Sequence, residues 1–359
     1  MISLHDLQQK LVHGVAEPKS PFMGSVYIQE EAQIISLVQD AYEHRASDIH
    51  LDSTPLGLRV RYRIDGHLYD RKGLDLGLAK KFFSKLKISS GIETGRLYHV
   101  GEGHMRLTTT KDAIDIRVSI LPSLYGQTAV LRLLHREFVP LRLGALGLST
   151  SMQARVEVIL KHSSGLFLVA GPTGAGKTTT LYAALNFLKT QDRKILTIEN
   201  PVEQVLSGIQ QIDLGHSQSM SMAQALKATL RQAPNVVLIG EMRDAQTAQL
   251  AVHAALTGHL VLSSLHAYNA EQVFWRLRHW SIELSAIQQS LQGILTQRLE
   301  AKPCSDCDHL ASVNCPTCLG YKTIGRTGYF DLFDPQLHGP SILNQAGLNP
   351  AQTKPRPIV

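Results

Sequence analysis

The chain has 359 residues, 43% hydrophobic and 18% charged, which excludes a disordered polymer and leaves room for two or three packed domains. Lys and Arg total 36 against 30 Asp and Glu, a formal net charge of +6. No apolar run is long enough to span a bilayer, and the first thirty residues hold Pro18 and Pro21 but no continuous apolar stretch of a signal peptide. The expectation is a cytoplasmic protein that reaches a membrane only through a partner.

Residues 1–25 show no clear periodicity and read as a loosely attached arm. From Glu30 to Arg45, Ile34, Leu37, Val38, Ala41 and Tyr42 share one stripe and predict an amphipathic helix. Asp48–Asp52 and Leu58–Ile64 predict strands. In the second, Leu58, Val60, Tyr62 and Ile64 alternate with Arg59, Arg61 and Arg63, and Asp65-Gly66 supplies a tight turn. A helix around Leu78–Ser89 follows, then strands near His104–Thr109, Ile114–Leu121 and Thr128–Leu134. Residues 26–135 thus read as a small α+β domain, and 136–150 as a linker. Between Arg45 and Arg136 stand 16 basic and 9 acidic residues. They alternate along strands, which favours a solvated face and phosphate-directed arginines over a nucleic-acid surface.

From residue 151 to 335, apolar strands alternate with helices: Leu166–Ala170, Ile195–Ile198, Val236–Ile239 and Leu260–Ser263, between Thr178–Lys189, Met222–Gln232, Ala245–Leu256 and Glu271–Trp280. That order predicts an α/β domain with a parallel sheet covered on both faces. Gly171, Pro172, Thr173, Gly174, Ala175, Gly176, Lys177 and Thr178 form a complete G-x-x-x-x-G-K-T phosphate loop, with Thr179 next, set between a strand and a helix. Its backbone N–H groups can wrap a triphosphate at a helix N-terminus, Lys177 can reach the β- and γ-phosphates, and the Thr178 hydroxyl can hold Mg²⁺.

Ligands of such a sheet sit at the carboxyl ends of the strands. Those ends carry Glu199, Glu241 and His266. Phosphoryl transfer needs a metal, a positioned water and positive charge. Glu199 is therefore the candidate to polarise water, Glu241 to hold the magnesium shell and His266 to sense the γ-phosphate; each also fits a helix cap or a solvated turn. Cys304, Cys307, Cys315 and Cys318 are the chain's four cysteines. Two C-x-x-C pairs predict a tetrahedral Zn²⁺ site across 304–318, with a redox pair as the competitor. Residues 336–359 read as a flexible, proline-bearing tail.

Four ordered segments, 171–183, 195–203, 230–244 and 257–266, resemble the Walker A, Asp, Walker B and His boxes of the secretion ATPases of type II secretion, type IV pili and competence systems. The likeness runs from about Arg45 to Phe330. It implies a RecA-like P-loop ATPase domain with a smaller N-terminal α+β domain, using ATP and Mg²⁺. It further implies a homo-hexamer on the cytoplasmic face of the membrane, working through a polytopic inner-membrane platform protein and, indirectly, pilin-like subunits, with no direct contact to nucleic acid. Arg117 and Arg132 match the two arginines with which that family's N-terminal domain reaches the phosphates, a role suited to the bidentate guanidinium. Filament-assembling members carry the four-cysteine element and retraction motors lack it, so the expected function is assembly of a pseudopilus. The short layout is similar to competence ATPases, which points to DNA uptake; retraction, type II secretion and a RecA-like nucleic-acid motor are the alternatives. Asn200 departs from the family's usual aspartate in this box, Gly101-Glu102-Gly103-His104 stands where Gln-Asp-Gly-Arg is usual, and the region after Phe333 is shorter.

Overall fold

The computed structural model describes residues 24–95, 99–108, 113–134, 141–189, 192–215, 220–307, 315 and 317–337. The arm at 1–23, the tail from 338 on, the first five residues of the linker (136–140) and the segment 308–314 between the cysteine pairs lie outside these. The chain divides into two compact units between residues 136 and 137.

In the first unit, helix α1 (Gly24–Glu43) precedes strands β1 (Ala46–Thr54), β2 (Gly57–Ile64) and β3 (His67–Asp75). Helix α2 (Leu76–Ser89) leads to β4 (Gly101–Thr108), β5 (Ala113–Ser123) and β6 (Gly126–Leu134). The strands form one antiparallel sheet in the order β3-β2-β1-β6-β5-β4. The alternation in β2 places Leu58, Val60, Tyr62 and Ile64 in the core, where Ile34, Val38, Phe82 and Leu86 of the helices are also buried. The β2 arginines face away from it and are paired: Arg59 with Asp70 at 2.7 Å, Arg61 with Asp52 at 2.7 Å and Arg63 with Asp48 at 3.7 Å. Asp65 and Gly66 take φ of 50° and 95°, the left-handed conformations a tight hairpin turn requires. Strand β3 was not expected from the sequence. It is an edge strand, with no fully buried residue and hence no apolar alternation to read.

The second unit holds α3 (Thr150–Leu160), β7 (Gly165–Ala170), α4 (Lys177–Leu188), β8 (Ile195–Glu199), β9 (Gln210–Asp213), α5 (Met222–Leu230), β10 (Val236–Ile239), α6 (Ala245–Leu256), β11 (Leu260–Leu265), α7 (Ala270–His279), α8 (Leu284–Ser290), β12 (Leu291–Pro303) and β13 (Thr323–Phe333). Its seven-stranded sheet runs β13-β12-β7-β11-β10-β8-β9, parallel throughout except for β13, which pairs antiparallel with β12. Every residue of β7, β8, β10 and β11 is buried, as a parallel sheet covered on both faces demands. Two apolar clusters flank it. One joins Leu166, Leu168, Val237 and Val261 to α6 and α7, and the other joins Phe167, Val169, Leu238 and Leu262 to α3 and α4. Asp334, almost fully buried after β13, accepts both Nε and Nη2 of Arg155 and so fastens α3 to the end of the sheet.

Candidate nucleotide site

Strands β7, β11, β10 and β8 are neighbours in that order and parallel, so their carboxyl ends share one edge of the sheet. Lys177 follows β7, His266 follows β11, Glu241 follows β10 and Glu199 ends β8. The strand ends are tied to one another through Gly171 N to Leu265 O at 3.2 Å, Met242 N to Ser264 O at 3.1 Å and Gly240 N to Ile198 O at 2.8 Å.

The phosphate loop has the backbone its sequence requires. Gly174 and Gly176 sit at φ of 75° and 83°, and a Cβ on Gly171 would come within 2.3 Å of the Gln297 carbonyl. Gly176 is the N-cap of α4 and makes no side-chain cap, which leaves the first-turn amides to an anion. The Lys177 ammonium is buried and bonds the carbonyls of Gly171 and Pro172, both at 2.9 Å. Burial lowers its pKa, while the carboxylates of Glu241 and Glu203 act in the opposite direction and so lie within electrostatic reach. Such a half-desolvated cation favours an anionic partner. The loop therefore fits the phosphates of ATP, and the Thr178 hydroxyl at the start of α4 fits Mg²⁺.

His266 stands between two of the predicted groups. Its Nδ1 is 3.4 Å from Lys177 Nζ and its Nε2 is 2.8 Å from Glu241 Oε1. A neutral ring satisfies both contacts, accepting at Nδ1 and donating at Nε2. Burial first, and the Lys177 charge second, hold its pKa below the ordinary value, consistent with that tautomer. Glu241 Oε2 also accepts from Arg243 Nε at 2.8 Å. Lys177, His266, Glu241 and Arg243 thus form one continuous polar chain at the strand ends.

Glu199, the candidate to polarise water, is the last residue of β8. It is 2% exposed. One oxygen accepts from Tyr182 Oη, the other from Thr197 Oγ1 at 2.6 Å and Gln211 Nε2 at 3.1 Å. The carboxylate thus ties α4, β8 and β9 together and is held away from solvent. Four residues on, Glu203 is exposed, lies within electrostatic reach of Lys177 and uses its backbone N–H, not its carboxylate, to bond Tyr182. Sequence reasoning passed over Glu203 because it sits in an aperiodic turn; the only cue was a second acid in the same box. Asn200, the departure in that box, is exposed.

The sequence also gave no sign of the support from β12 and β13. Gln297 is buried and its Nε2 donates to Ala175 O at 2.5 Å, while Arg326 Nη1 reaches Gly174 O at 3.3 Å. Both brace the phosphate loop, Gln297 from β12 beside β7 and Arg326 from β13 beyond it. Arg117 and Arg132 lie in the first unit, opposite each other on β5 and β6. Arg132 Nε donates to Asp48 at 2.9 Å; Arg117 is half-buried and has no ion-pair partner among the described residues.

Between β12 and β13, the four cysteine sulfurs are buried and lie within 4.8 Å of one another. Cys304 and Cys315 are 3.9 Å apart, Cys307 and Cys318 3.2 Å. A tetrahedral Zn–S₄ centre with bonds of about 2.3 Å spaces its sulfurs by about 3.8 Å. The cluster fits Zn²⁺.

The sequence model of a family described as "Type II/IV secretion system protein" matches residues 29–353. The chain belongs to that family. It is 42% identical over 283 residues to the type II secretion system protein E of Dickeya dadantii, covering 78% of this chain and 57% of that protein. It is 39% identical to its namesake in Pectobacterium carotovorum, covering 84% and 66%. The chain therefore spans only about three-fifths of the length of these relatives. Among solved structures, the pilus retraction motor PilT with bound ADP is similar at 27% identity, a TM-score of 0.60 and coverage of 87% of this chain and 85% of that one. The Legionella pneumophila ATPase DotB shares the fold at a TM-score of 0.68 and 20% identity, over 92% and 88%.

Proposed function

We propose that this chain is the ATP-hydrolysing motor of a type II secretion-type machine and drives assembly of a pilus-like filament. One observation carries the hydrolysis: the ends of three adjacent parallel strands bring Lys177, His266 and Glu241 into one polar chain beside an uncapped helix N-terminus. In this reading residues 171–179 hold the triphosphate. Lys177 neutralises its β- and γ-oxygens, and Thr178 with Glu241 serves the Mg²⁺ shell. Bound MgATP supplies the anhydride to be cleaved and the metal charge that eases its cleavage. Glu203 takes the proton of the attacking water, in place of Glu199, and His266 reports the γ-phosphate to the rest of the strand ends. Arg117 and Arg132 add charge to the phosphates from the first unit.

Assembly is favoured over retraction because the four cysteines fit a structural Zn²⁺, the element that retraction motors of the family lack. The names of the matched relatives favour type II secretion over DNA uptake as the system served. The paired arginines of β2 support the absence of a nucleic-acid role. No described helix is long and apolar enough to cross a membrane; in this reading the motor works as a hexamer on the cytoplasmic face, bound to a polytopic platform protein and acting on pilin-like subunits through it. The test is phosphate release from MgATP by the purified protein and its Glu203→Gln variant. Release at least a hundredfold slower in the variant, with nucleotide still bound, supports the reading, whereas equal rates overturn it.

A further inference from the structure

Tyr182 is buried under the nucleotide site and takes no part in the roles above. It lies on α4, five residues after Lys177, so its ring is fixed to the same helix that presents the phosphate loop. Its hydroxyl makes two contacts at once: it donates to Glu199 Oε2 and accepts the backbone N–H of Glu203 at 3.3 Å. Burial, and then the Glu199 charge, push the phenol pKa far above its usual value, so the group remains a donor at any working pH.

Around that hydroxyl, side chains rather than secondary structure hold the turn from 200 to 206. Gln211 accepts from Leu206 N at 2.7 Å and donates both to Gln204 O at 3.0 Å and to Glu199 Oε1 at 3.1 Å. The turn has no regular backbone pairing of its own across these residues. Asp213 Oδ1 adds a longer bond from Val202 N at 3.4 Å, while Tyr182 and Gln211 both converge on the buried Glu199 carboxylate. One reaches it from the phosphate-loop helix and the other from β9.

We infer that Tyr182 is a positioning residue, which fixes the turn bearing Glu203 to the phosphate-loop helix and thereby sets the distance between the proton-accepting carboxylate and the phosphates. This rests on the hydrolytic reading above. Displacing a general base by a fraction of an ångström slows the chemical step without weakening binding, because the ground-state contacts to phosphate come from the loop. Tyr182 is therefore expected to affect kcat and leave KM for MgATP and the affinity for ADP unaltered.

The test is a double-mutant cycle on phosphate release, with melting temperature and ADP affinity measured on every protein. Tyr182→Phe keeps the ring and removes only the hydroxyl. Its kcat is expected to fall about tenfold, from the loss of one charge-assisted bond and one amide contact, with KM within twofold. In a Glu203→Gln background the same change is expected to cost less than twofold, since a misplaced base matters only where there is a base. Gln211→Met, which removes the second anchor at similar volume, is expected to reproduce the pattern and serves if Tyr182→Phe does not fold. Unchanged kcat in Tyr182→Phe, or a loss that multiplies in full with that of Glu203→Gln, overturns the inference. If Glu203→Gln alone hydrolyses at the wild-type rate, the hydrolytic reading itself fails, a result separate from either outcome for Tyr182.

Discussion

Glu199→Gln separates a buried hub from a catalytic base. The carboxylate accepts from Tyr182, Thr197 and Gln211 and is 2% exposed. The amide keeps the volume but has only one accepting atom. Turned toward Thr197 and Gln211, its oxygen retains those two bonds, and its NH₂ then opposes the Tyr182 hydroxyl. Three charge-assisted bonds become neutral ones, and the Tyr182 hydroxyl must turn to accept from the amide and lose its own acceptor, a cost of about 2 kcal/mol. In a unit of this size each kcal/mol moves the melting temperature by about 2–4 °C, so the expected drop is about 4–8 °C. Hydrolysis should remain within about tenfold of wild type, because Glu203 is untouched though less firmly placed, whereas loss of a general base costs about 10²–10⁴. Differential scanning calorimetry and phosphate release on one preparation check both numbers. A variant that melts normally but has lost hydrolysis a hundredfold or more would refute this reasoning and return the base role to Glu199.

The metal prediction is one Zn²⁺ per chain, lost when Cys304, Cys307, Cys315 and Cys318 are each replaced by Ser; elemental analysis under reducing conditions checks it. A Cys₄ site contributes on the order of 10 kcal/mol to local folding, so chelation should speed hydrogen exchange around the cysteines and leave β7, β10 and β11 protected. Arg117→Ala should slow turnover with little loss of ADP affinity and no change in melting temperature, since Arg117 has no ion-pair partner among the described residues. Arg132→Ala should also lower the melting temperature, because Asp48 keeps the Ser47 hydroxyl at 2.9 Å but, among the described residues, only the more distant cation Arg63 at 3.7 Å. His266 has a folded pKa below its ordinary 6.5. Just below pH 6.5 the unfolded chain therefore binds a proton that the folded chain does not, and stability falls on acidification. His266→Gln should flatten this part of a melting-temperature profile against pH.

Much of the candidate nucleotide site was legible because its residues are contiguous or follow apolar strands. The glycines, Lys177 and Thr178 serve one loop, and Glu241 and His266 each follow an apolar strand whose end the parallel topology brings to the same edge. The β2 strand was legible for a similar reason, since one face is buried and period-two alternation survives. What escaped notice depends on tertiary pairing. Strand β3 is an edge with no buried face, and β9 is only four residues long. Strands β12 and β13 owe their order to each other and to β7, and nothing local announces that Gln297 will meet Ala175. Glu199 and Glu203 are both acids near a strand end. Only the packing of Tyr182, Thr197 and Gln211 shows which one is buried and which is left exposed.

Phosphate release from MgATP by Lys177→Ala tests the central claim most directly. The lysine's bonds go to loop carbonyls and its charge faces Glu241 and Glu203, so its loss removes charge from the phosphate site and spares the apolar core. The expected variant is a folded protein with melting temperature near wild type and hydrolysis reduced to background at saturating MgATP. Near-normal turnover in that variant would contradict the claim.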